Sequence, residues 1–187
     1  MIKTSERGQG APRAVTAQAA PAGSSADCRW LMVAAQRAGL VSSNFRSSGS
    51  PGRDQAFLPR IATRTPGTGP RSVRAAREFA LATLQRWGVA ERSEDIAIVI
   101  SELLTNALRH ALPEPGPARP IRLGLLQPGP CLLCAVTDPS RAAPIPQAPP
   151  EFLPETGRGL HIICALSDRW GYTTLSDTGK VVWATFT

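Results

Sequence analysis

Between Pro70 and Pro113 apolar residues recur at steps of three and four in two consecutive blocks, and no other feature limits the fold as much. Val73, Ala76, Ala80, Leu84 and Trp87 form the first stripe. Ile96, Val99, Ile100, Leu103, Ala107 and Ala111 form the second, and each has the spacing of one buried helix face. Pro70 suits the first helical position and Gly88 the end of that helix, while Ser93, followed by Glu94 and Asp95, is the expected cap of the second. Outside these blocks the pattern is that of strands. IRLGLLQ and CLLCAVTD are separated by Pro128-Gly129-Pro130, and RWGYTTLSD and KVVWATFT by a turn around Asp177-Thr178-Gly179. QAFLPRIA is short and apolar, and Pro59 places it at a sheet edge.

The Pro-rich stretch from Pro139 to Pro154 excludes helix and central strand, and long loops of this kind in compact domains often act as lids. After it, GRGLHIICALSD opens with two glycines and becomes helical. This order of elements predicts an α+β fold, a two-layer sandwich in which a mixed, mostly antiparallel sheet carries its helices on one face.

Residues 1–54 are rich in Ala, Ser, Gly, Pro and Arg without a sustained period, and such a segment buries too little apolar surface to offset its ordering entropy. They are expected to be a disordered tail, with one candidate short helix near Trp30 to Leu40 and with a downstream start at Met32 as the other reading. The folded domain is expected over residues 55–187. The net charge of +7 points first to nucleic acid or an acidic membrane. Its distribution points away from both, because residues 1–60 carry eight basic against three acidic side chains and residues 61–187 thirteen against eleven. No basic run is interleaved with aromatics that could stack on bases. No run of about 18 apolar residues is present, so no membrane span is expected. Cys131 and Cys134 form a C-x-x-C, but within a strand they point to opposite faces, and reduced structural thiols in a cytoplasmic protein are the expectation.

SELLTNALRH is the stretch with the most chemistry. Glu102, Asn106 and His110 are four apart and rise along one line of the second helix, beside its apolar stripe, where a pocket wall would stand. An amide oxygen can ligate a hard cation and a neighbouring carboxylate can accept a proton. Asp138 ends an apolar strand ahead of Pro139-Ser140, a place for an acceptor facing an adenine amino group. Gly157-Arg158-Gly159-Leu160 opens a helix after the lid, where backbone N–H groups can approach phosphate oxygens. Each of these alone is equally an ordinary helix flank, strand end or loop.

Together and in this order they resemble the N, G1 and G2 boxes of the GHKL (Bergerat-fold) ATPases. GPRSVRAAREF, SELLTNALRH, Asp138-x-Ser140, GRGL and DRWG at Asp168 to Gly171 are most similar to the anti-sigma-factor serine/threonine kinase family. The resemblance covers residues 55–187 and implies ATP and Mg2+ as cofactors. It implies Glu102 as general base, Asn106 as magnesium ligand, Asp138 as adenine acceptor, and Gly157, Arg158, Gly159 and Leu160 beside the nucleotide. His110 matches a recurring position of the family and is read as packing. The implied activity is transfer of the γ-phosphate to a serine of an anti-sigma-factor antagonist of the STAS type, with a sigma factor as a second partner and a homodimer as the assembly. A non-catalytic nucleotide- or protein-binding module is the alternative.

Overall fold

A computed structural model describes residues 2–4, 28–41, 59–69, 71–110, 120–145, 157–175 and 179–187. Along the chain run β1 (Ile2–Thr4), α1 (Arg29–Arg37), β2 (Arg60–Arg64), α2 (Ser72–Trp87), α3 (Ser93–His110), β3 (Arg122–Gln127), β4 (Leu132–Asp138), α4 (Gly159–Leu166), β5 (Arg169–Leu175) and β6 (Gly179–Phe186). The sheet order is β1-β5-β6-β4-β3-β2, and every pair is antiparallel. The α+β sandwich expected from the sequence is therefore present, with β2 at an edge directly after Pro59.

α3 is the central helix. Ile96, Val99, Ile100, Leu103, Leu104 and Ala107 are buried, Glu94 and Asp95 favour the positive end of its dipole and Arg109 and His110 the negative end. It lies over β4 and β6, flanked by α2 and α4. α2 meets it through Ala76, Ala80 and Leu84 and ends at Gly88, whose φ of 73° closes the helix. Ser93, expected as a cap, is instead the first residue of α3. The turn before it is made by Arg92 at φ 58°.

Arg92 accounts for the DRWG segment as well. Its guanidinium donates to Asp168 Oδ1 at 2.7 Å and to the Leu166 carbonyl at 2.6 Å, and stands 5.1 Å from the centre of the Phe186 ring. Thr187 donates to Asp168 Oδ2 from both its backbone N–H and its hydroxyl at 2.7 Å. Burial acts to raise the Asp168 carboxyl, but these donors together hold it below its ordinary value. The α2–α3 turn, the exit of α4 and the end of β6 are thereby joined.

The strands alternate between two buried faces. Leu123, Leu125, Leu132, Cys134, Val136, Val182, Ala184 and Phe186 share the core with α2, α3 and α4. Leu126, Leu133, Ala135, Val181 and Trp183 point the other way and pack with Trp30, Leu31, Ala34 and Ala35 of α1. Cys131 and Cys134 accordingly fall on opposite faces. The short helix expected near Trp30 to Leu40 within residues 1–54 is α1, packed on the back of the sheet, and Ile2–Thr4 pairs with β5. The rest of that segment, with Pro70 and the Asp177-Thr178 turn, lies outside the described residues. The physical reason is that a sheet apolar on both faces needs cover on both, and the periodic segment available for the second is α1. The fit is close. A Cβ at Gly124 would stand 2.7 Å from the Trp30 ring, so only glycine lets α1 settle there. Leu31→Ala is expected to destabilise the protein by roughly 2–5 kcal/mol. Chemical denaturation checks this, and a loss within about 0.5 kcal/mol, the usual range for a surface position, would refute the packing.

Candidate nucleotide site

Antiparallel register brings the start of β6 against the end of β4, so that Asp138 pairs with Lys180. α3 crosses above, and the N-terminus of α4 returns beside it. Between them lies a cleft of about 390 Å³. Asn106 and His110 of α3, Asp138 and Lys180 supply its polar wall, while Leu103, Val136, Leu160 and Val182 supply an apolar floor fit for a flat ring. Residues 142–145 form one rim, with Ile145 65% exposed. The remainder of the expected lid lies outside the described residues.

Five of the residues singled out from sequence, Asn106, His110, Asp138, Gly157 and Leu160, line this cleft. Gly159 joins Glu102 to them as a sixth. A Cβ on Gly159 would come within 2.8 Å of Glu102 Oε2 and 3.2 Å of both amide atoms of Asn106, so the start of α4 sits directly on the Glu102–Asn106 line. Glu102 stands outside the cleft lining, one helical turn before Asn106. Burial raises its carboxyl above the ordinary value, with Arg109 acting the other way. Arg158 is exposed and does not line the cleft. Among the described residues, the buried Asn106 Nδ2 has no hydrogen-bond partner. A buried amide nitrogen without a partner at a cleft wall suits a polar ligand, and the amide oxygen is a hard donor appropriate to magnesium, with the Glu102 carboxylate one turn away as a proton acceptor.

Asp138 is 3% exposed. Its Oδ1 accepts from Lys180 Nζ at 2.7 Å and from the Ser140 N–H at 2.9 Å. Lys180 Nζ also donates to the Ser140 carbonyl at 3.2 Å. Burial pushes the Asp138 carboxyl up, and Lys180, the Ser140 amide and His110 counter it only in part. Gly179 makes the arrangement possible: at φ 97° it passes so near the Asp138 and Pro139 backbone that a side chain there would collide.

Lys180 was missed in the sequence because no local pattern relates it to Asp138, 42 residues away. One signal was available. Nineteen of the 21 basic residues are Arg, so a lysine at the mouth of an apolar strand departs from the chain's habit. A compact ammonium also fits where a guanidinium fork would not.

A helix-covered antiparallel sheet, with a cleft between its central helix and the meeting ends of two strands, defines an ATP-binding domain of the GHKL class. Residues 68–186 match the family of the histidine kinase-like ATPase domain, and the chain belongs to that family. No curated protein matches it. Among the described residues no helix is long and apolar enough to cross a membrane.

Proposed function

We propose that this ATP-binding domain is a cytoplasmic protein serine/threonine kinase that uses Mg2+ and phosphorylates an anti-sigma-factor antagonist of the STAS type, with sigma-factor binding as its linked activity and a homodimer as its working form. The observation that carries the reading is the placement of Glu102 and Asn106 against Gly159. A carboxylate with a raised affinity for protons thus lies next to the amide that would hold the metal and the helix start that would face phosphate. In the step proposed, Glu102 takes the proton of a serine hydroxyl, whose oxygen forms a bond to the γ-phosphorus as the bond to the β-phosphate oxygen breaks and ADP leaves. Asn106 contributes its amide oxygen to magnesium. Asp138 accepts from the adenine amino group, and Gly157, Gly159 and Leu160 border the nucleotide, with Arg158 at the exposed start of α4 outside the cleft lining. His110 lines the cleft through its place on the α3 line and acts on the charge of Asp138.

The second reading, a module that holds nucleotide without transferring phosphate, draws on Glu102 standing outside the cleft lining. Two measurements separate the readings. Millimolar Mg-ATP is expected to raise the melting temperature, because a ligand that binds only the folded state stabilises it. With γ-labelled ATP, label is expected to pass to a serine of an antagonist co-purified with the chain. Binding without transfer to any co-purified antagonist favours the second reading, and no thermal shift removes both.

A further inference from the structure

Lys180 is a charged side chain 6% exposed, and it faces the cleft. A buried ion pair rarely adds net stability, since desolvating two charges offsets their attraction. Its position therefore calls for a use other than holding β4 to β6, which the seven-residue ladder already does.

An ammonium has three N–H donors. Two are directed at Asp138 Oδ1 and the Ser140 carbonyl. Among the described residues, both hydrogen bonds to the Asp138 carboxylate fall on Oδ1. Among the described residues, the wall of the cleft therefore carries one carboxylate oxygen and one ammonium N–H beyond those already engaged, on two side chains that meet at 2.7 Å, an acceptor group next to a donor group. Adenine presents the complement: its amino group donates, and the adjacent ring nitrogen N1 accepts. We infer that Lys180 is a base-specificity residue, donating to adenine N1 while Asp138 accepts from the amino group, so that the base is read at two points. This deepens the ATP-binding reading and rests on it.

The pairing also has a direction. Guanine and hypoxanthine carry the opposite order, an acceptor oxygen where adenine has its amino group and an N–H at N1. Lys180 and Asp138 cannot trade places to meet them, because the ammonium is tethered to Ser140 and both side chains are buried. A carboxylate reading the amino group alone would leave N1 unread. An analogue lacking only that nitrogen would then bind as well as ATP.

The test is a titration of the full chain with Mg-ATP and with Mg-1-deaza-ATP, in which N1 is a C–H, followed by calorimetry or intrinsic fluorescence. The expected result is that ATP binds roughly 10- to 100-fold more tightly, the range for a hydrogen bond involving a charged group. Lys180→Met is expected to bind both weakly and to bring that ratio to about one. Equal affinities for the unaltered chain would overturn the inference and leave ATP binding intact. Binding of neither nucleotide would overturn the ATP site itself. Equal affinities on the unaltered chain would overturn the inference even if the variant does not fold, and Lys180→Arg, which keeps the charge, supplies a second variant to assign the contact.

Discussion

Glu102→Ala is expected to bind Mg-ATP about as well as the parent while transferring phosphate more slowly by on the order of 10² to 10⁴. The separation of effects follows from position. The cleft is lined by Asn106, Asp138, Leu160 and Lys180, none of which the substitution touches, whereas Glu102 stands one turn back along α3 against Gly159. Burial raises its carboxyl, and Arg109 opposes that rise. A carboxylate whose pKa is raised is the stronger base when ionised, so the rate should fall as pH drops through that raised value, at a higher pH than for an ordinary glutamate. Glu102→Gln keeps the shape and removes the base, and should lose nearly as much. Single-turnover labelling with a co-purified antagonist, alongside nucleotide binding by titration, measures both. A Glu102→Ala variant that phosphorylates at the parental rate would refute Glu102 as base. One that no longer binds nucleotide would place Glu102 in the binding wall instead.

How much of this was legible in the sequence depends on whether the relation was local. The buried stripe of α3 and the polar line of Glu102, Asn106 and His110 are both set by 3.6 residues per turn, so period alone put a functional edge beside a core face. The β3–β4 pair and the end of α2 at Gly88 were likewise marked by residues within a few positions. The back of the sheet was not read, although CLLCAVTD is apolar at every position to Val136 and so had no solvent face to offer. That continuous run required a second cover, and the Trp30 to Leu40 segment was the candidate at hand. Lys180 was beyond local reasoning. Its meeting with Asp138 depends on the β4–β6 register, which pairs strands separated in sequence by the lid and α4.

Asp138→Ala is expected to cost both stability and nucleotide affinity, and the two losses have different causes. Removing one partner leaves the Lys180 ammonium buried without its counter-charge, which typically costs about 3–5 kcal/mol. Removing the base acceptor lowers affinity by roughly ten- to a hundredfold. The intact pair, by contrast, adds little to folding. Burial sets the folded Asp138 carboxyl above its unfolded value despite Lys180. A carboxyl so raised favours the folded state at low pH, and that contribution is lost as pH rises through the folded value. At neutral pH the ionised Asp138 is therefore held at some expense of stability, as expected of a group kept for recognition. Replacing both partners, Asp138→Asn with Lys180→Met, removes the charges while nearly preserving volume. That double variant should stay within about 1 kcal/mol of the parent, or exceed it, and still fail to discriminate ATP from other nucleotides. Denaturant melts and nucleotide titrations of the parent, Asp138→Ala and the double variant decide it. If the double variant is as unstable as Asp138→Ala, the pair is a structural latch; if it binds ATP at parental strength, the base is read elsewhere in the cleft.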